Sequence, residues 1–127
     1  MAFEIKVTRR HGKGRLVFSH GDVRVDTDCW WDPEVKIAAG TYAGYATRMA
    51  TKTDGSDGGK REAIWLGRDV PYGNGTRSSD AIFIHKGTNP SWSDGCLVAA
   101  ENQVVKMWLA INPKDQPNVT IEVTDEV

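Results

Sequence analysis

Two residue types in this chain stand where they could do nucleophilic chemistry. The segment Ile82-Phe83-Ile84-His85 is a short apolar run ending on a histidine, and Ser93-Asp94-Gly95-Cys96 is a polar turn that presents a cysteine. A thiol attacks only as thiolate, and an imidazole is the usual side chain that takes its proton at neutral pH. Ten residues, 86–95, separate the two. They include Gly87, Asn89 and Pro90, so the chain can leave a strand, loop and return, bringing His85 to Cys96. Gly95 permits the tight turn that exposes a nucleophile. The amides of Gly95 and Cys96 could donate to the oxyanion of a tetrahedral intermediate. Taken alone, Cys96 also fits a buried cysteine after a turn, and His85 a boundary residue at a strand end.

The elements that must position this pair are mostly strands. Phe3-Ile5-Val7 alternates with charged residues, as a strand buried on one face does. Arg15–Phe18 and Val23–Val25 flank Ser19-His20-Gly21-Asp22, a hairpin signal. Gly40–Met49 reads as a long strand, Ala63–Leu66 and Ala81–Ile84 as buried central strands, and Val119–Val123 as a closing strand. Asp54–Arg61 is a flexible polar loop, and Gly73-Asn74-Gly75 a turn. One helix follows Glu101-Asn102, with Val104, Val105, Trp108, Leu109 and Ile111 at helical spacing and Asn112-Pro113 as the stop. Its positive N-terminal end, if aligned, would favour thiolate at Cys96. The expectation is one domain over 1–127, mainly β with one principal helix, as a small sandwich or barrel.

The bulk numbers narrow the function. A net charge of −1 argues against a sequence-independent grip on nucleic acid, which needs clustered Lys and Arg. No apolar run reaches membrane-spanning length, and the first residues alternate like a strand without the basic start and apolar stretch of a secretory signal. Two cysteines make no disulfide framework; they could pair with each other, but the Gly-Cys setting favours a reactive Cys96 and a buried, inert Cys29 beside Trp30-Trp31. His11, His20 and the cysteines lack zinc-ligand spacing, so no metal or organic cofactor is expected.

The His85 and Ser93-Asp94-Gly95-Cys96 pattern resembles the active-site motif of the L,D-transpeptidase (YkuD-like) catalytic domain family: a histidine at a strand end, a variable loop, then Ser/Thr-x-Gly-Cys. Lys36-Ile37-Ala38-Ala39-Gly40-Thr41-Tyr42 resembles that family's entry into a central strand. The short loop between His85 and Cys96 is most like small phage- or mobile-element-associated relatives. The resemblance implies a small transpeptidase-like β-sandwich or barrel and acyl transfer on peptidoglycan stem peptides through a thioester. It also implies Cys96 as nucleophile, His85 as base oriented by a backbone carbonyl, and Ser93 holding the turn.

The chain departs from the family pattern at Lys86, where Gly or Ser is frequent, at Asp94, where His is frequent, and at Leu97-Val98, which replaces Ile/Val-Arg. Without that arginine, a substrate carboxylate would have to meet Tyr42, Arg48, Arg68 or Arg77. Trp92 could line the cleft or anchor its own loop, and Asp94 could orient the imidazole or stabilise the turn. Lacking a signal, such a protein would be made in the cytoplasm and reach the wall or periplasm by delivery, with a phage tail or secretion machine as partner. The expectation from a different class is a non-catalytic phage structural or wall-binding module on the same fold.

Overall fold

The computed structural model describes residues 3–73, 75–93 and 95–126. Eight strands close into a barrel in the order β1-β10-β4-β5-β8-β9-β3-β2, where β1 is Phe3–Arg9, β2 Gly14–His20, β3 Val23–Trp30, β4 Gly40–Met49, β5 Arg61–Trp65, β8 Phe83–Lys86, β9 Leu97–Ala99 and β10 Val119–Asp125. The short strands β6 (Val70–Tyr72) and β7 (Arg77–Ser79) form a separate hairpin around the 73–75 turn, whose Asn74 lies outside the described residues. The expected fold class, mainly β with one helix in a small barrel-like sheet, is the observed one.

Period-two sequence becomes period-two burial. In β1, Phe3, Ile5, Val7 and Arg9 are buried while Glu4 and Lys6 are exposed. Arg9 earns its buried place by a bidentate pair with Asp125, its register partner on parallel β10. The β2–β3 hairpin closes in two residues, His20 pairing Val23, with Gly21 at φ 58 in the first turn position as a type II′ hairpin turn requires.

The helix α1 spans Glu101–Ala110 and packs against β3, β5 and β8. It buries Val104 and Met107, and Ile111 just beyond it joins the same core. The expected apolar face is turned by part of a helical turn, for Leu109 is 61% exposed and Val105 only half-buried. The 54–61 segment, expected to be a flexible loop, is tied down at three points: Arg61 to Asp54, Arg48 to Asp57, and the Ser56 amide to Glu62.

The feature that builds the site is the pairing of β8 with β9. They run parallel, Ile84 beside Leu97 and His85 beside Val98. A parallel neighbour forces the chain back to the starting edge of its strand, usually through a crossover of a dozen or more residues. Here residues 87–96 alone make the return, with the 3-10 turn Pro90–Trp92 in the middle. Ile84, Leu97 and Ala99 face the common core, so alternation sends His85 and Val98 to the other face. The loop closes over that face: a Cβ on Gly87 would lie 2.6 Å from Trp92 Cβ and 3.0 Å from Val98 Cβ.

Candidate functional site

Register places the two candidate catalytic side chains. Since Ile84 pairs with Leu97, Cys96 lies one step before β9, opposite Phe83 and two positions along the ladder from His85. Strand spacing puts their Cα atoms about 8 Å apart. The Phe83 amide donates to Cys96 Sγ at 3.5 Å, and Sγ lies 3.9 Å from the Ala81 carbonyl. The first contact favours thiolate, the second thiol. Both side chains are covered, with Cys96 7% and His85 4% exposed.

His85 is held as a neutral base would be. Its Nδ1 lies 2.8 Å from the Lys86 carbonyl oxygen and 3.4 Å from Arg61 Nη1. A carbonyl only accepts and a guanidinium only donates, so both contacts cannot be hydrogen bonds to one nitrogen. The shorter one decides it: Nδ1 carries hydrogen and donates to Lys86, and the Nε2 lone pair is left for proton transfer. Burial pushes the imidazole pKa below its usual value, and the Arg61 and Lys52 charges act in the same direction. The Lys86 carbonyl and Asp54 oppose them. The group nearest Nδ1 is thus a backbone carbonyl, that of the next residue on the strand.

The turn before Cys96 is built by Ser93. Its buried hydroxyl donates to the Cys96 carbonyl at 2.5 Å and accepts from the Gly95 amide at 3.2 Å. Gly95 sits at φ 110, a conformation that L side chains rarely adopt. Its amide therefore belongs to the turn's own bonding, and would have to leave Ser93 to meet an oxyanion. Asp94 lies outside the described residues.

The helix dipole does not act on Cys96. Four extended residues carry the chain from Cys96 to the helix N-cap at Ala100, about 13 Å, and the dipole's influence fades within the first turn. The helix start serves Lys86 instead, whose Nζ bonds Glu101 at 2.8 Å and the Asp54 carbonyl.

The candidate substrate contacts separate. Trp92 belongs to the site: it is 45% exposed, stands 5.8 Å from the Arg61 guanidinium, and with Lys86, Gly87, Thr88 and Glu101 lines a cavity of about 180 Å³. Arg77 stacks over Tyr72 at 4.7 Å, and Tyr72 in turn lies 3.9 Å from where a Gly95 Cβ would be. That sets Arg77 one ring away from the cysteine turn. Tyr42 is elsewhere, bonding the Ala38 carbonyl, its pKa raised by burial and opposed by the nearby Arg9 charge. Arg48 is engaged by Asp57 and by the ring of Trp108. Arg68 is exposed.

Cys29 is a separate buried thiol whose pKa burial pushes up to about 12, which makes it inert. Among the described residues, no three His, Cys, Asp or Glu side chains are grouped to hold a metal ion, and no helix is long and apolar enough to cross a membrane.

Sequence reasoning missed Arg61. It is 7% exposed, bidentate with Asp54 at 2.9 and 2.7 Å, and touches His85. The available signal was a charged residue heading a strand buried on both faces, since such a charge must be paired. No family model matches this sequence, and neither a curated protein nor a solved structure matches it.

Proposed function

We propose that this protein is a cysteine-dependent acyl-transfer enzyme of the L,D-transpeptidase kind, acting on peptidoglycan stem peptides. The observation that carries the reading is the setting of His85: buried, its Nδ1 2.8 Å from the Lys86 carbonyl, two ladder positions from Cys96. In that state Nε2 takes the proton of the thiol and Sγ attacks an amide carbonyl. The turn amides receive the oxyanion, with Gly95 exchanging Ser93 for it. Collapse of the intermediate expels the amine leaving group, which takes its proton from the imidazolium, and leaves a thioester on Cys96. An amine from a neighbouring stem then gives transpeptidation, and water gives hydrolysis.

The substrate class rests on the motif resemblance. Arg77 is the best placed of the candidate arginines to meet a stem-peptide carboxylate, through its position beside Tyr72 and the Gly95 turn. Delivery to the wall by a phage tail or secretion machine is the accompanying proposal. The test is incubation of purified tetrapeptide monomers and cross-linked dimers with wild type and Cys96→Ala, read by mass spectrometry. Loss of a terminal residue, cleavage of dimers or new cross-links, each dependent on Cys96, supports the reading; unchanged muropeptides sink it.

One observation favours a second reading. Cys96 and His85 are both more than nine-tenths covered, so a peptide reaches the thiol only if the side chains and backbone around it yield. A non-catalytic wall-binding or structural module on this fold has no such requirement.

A further inference from the structure

Three buried or half-buried features lie outside the roles assigned so far. The groove at Arg9, Trp31 and Lys36 mixes cations with Asp125 and Glu126, and Arg9 is already committed to Asp125 and the Ile37 carbonyl. The groove at Trp108 has its ring covered by Arg48 and Lys114. Arg61 is different, because it is buried, it touches the candidate base, and its own carboxylate is on the surface.

We infer that Arg61 is a positioning residue that keeps His85 uncharged, so that the site rests as thiol and imidazole rather than as thiolate and imidazolium. The geometry is specific. Arg61 spends its Nε and Nη2 on Asp54, a bidentate pair that fixes the plane of the guanidinium. The remaining Nη1 is thereby set 3.4 Å from His85 Nδ1. With Nδ1–H bound to Lys86, that contact is no hydrogen bond but a full positive charge against the N–H edge of the ring. Protonating the ring at Nε2 would place two cations side by side in a buried setting, which low dielectric makes costly.

Other charges near His85 are Lys52 and Asp54, both from the segment that precedes β5, and Lys86, the next residue on its own strand, whose Nζ is turned to Asp54 and Glu101. Just before β9, the Cys96 thiol lies against the backbone of Phe83 and Ala81, and β9 itself carries no ionisable side chain. Asp54 is 48% exposed at its side chain, so water screens it more than it screens Arg61, at 9%. Arg61 therefore outweighs its own partner at His85.

The consequence for catalysis rests on the proposed function; the test does not. His85 is titrated by imidazole NMR in wild type, Arg61→Met and Asp54→Asn, its signals assigned against His85→Gln. Arg61→Met should raise the His85 pKa by roughly one unit, and Asp54→Asn, which leaves the arginine charge uncompensated, should lower it. Arg61→Lys should keep the pKa nearer the wild-type value. A purely structural role for Arg61 would not raise the pKa in the charge-removing variant while Arg61→Lys keeps it near wild type. If Arg61→Met fails to fold, Arg61→Gln, which keeps an N–H donor for Asp54 without the charge, should raise the pKa in the same way. A His85 pKa unmoved or lowered in a folded Arg61→Met or Arg61→Gln overturns the inference, whether or not the protein acts on muropeptides.

Discussion

The backbone amide of Phe83 points at Cys96 Sγ across 3.5 Å, so the strand that carries His85 also holds the thiol that His85 would serve. The candidate nucleophile and base thus sit on and beside a single ladder, β8 against β9, and not on two independent loops. The parallel direction of that ladder explains why the chain must return through residues 87–96 between His85 and β9.

The thiols should differ sharply in reactivity. Alkylation with iodoacetamide near neutral pH, followed by peptide mass spectrometry, should modify Cys96 and spare Cys29, whose pKa stands at about 12. Replacing His85 with Gln removes the base and should slow the Cys96 reaction by about 100-fold or more. Equal rates in the two proteins would mean that His85 does not activate the thiol.

Ser93→Ala should cost about 2 kcal/mol of stability, because the buried Cys96 carbonyl and Gly95 amide both lose their partner. Ser93→Thr keeps the hydroxyl and should cost less. Denaturant midpoints compare them directly, and a Ser93→Ala midpoint equal to wild type would show that the turn holds without the hydroxyl.

Gly95→Ala should also be destabilising, by about 1–3 kcal/mol, since φ 110 is strained for any residue with a Cβ. That Cβ would also approach Ile82 Cδ1 to 3.3 Å. A thermal midpoint lowered by several degrees is the expected result, with Cys96 alkylation altered as the turn shifts.

Acidification should weaken the fold in two stages. His85 has a depressed pKa in the folded state, so the unfolded chain binds its proton first, and stability falls as pH drops below the ordinary histidine value of 6.5. Asp54 is held at about 2 by the Arg61 hydrogen bonds, against 3.8 ordinarily. Its contribution is present above that ordinary value and fades as pH falls from 3.8 toward 2. In urea titrations His85→Gln should flatten the first stage and Asp54→Asn the second. An unchanged pH profile in both variants would remove these groups from the account.

Much of this was legible in the residues themselves. Alternation in Phe3-Ile5-Val7 and Val119-Ile121-Val123 marks half-buried strands, and the barrel indeed buries those residues. The motif around Cys96 marks the turn, because Ser-x-Gly-Cys needs a hydroxyl and a glycine where Ser93 and Gly95 supply them. What the sequence could not give is long-range pairing. Nothing local says that Arg61 will face His85, 24 residues away; Tyr42 and Arg48 are taken up by nearer groups, the Ala38 carbonyl and Asp57, four and nine residues away. The helix start is the instructive miss: proximity to Cys96 in sequence suggested an electrostatic role, but an intervening extended strand carries the dipole out of range.

The most direct test of the central claim is intact-protein mass spectrometry of the chain mixed briefly with a tetrapeptide stem and quenched in acid. The account predicts a covalent acyl adduct, mapped by proteolysis to Cys96, released by hydroxylamine and missing in Cys96→Ala. An enzyme that turned over muropeptides with its adduct elsewhere, or equally well without Cys96, would contradict it. So would a protein that formed no adduct and left the stem peptide unchanged.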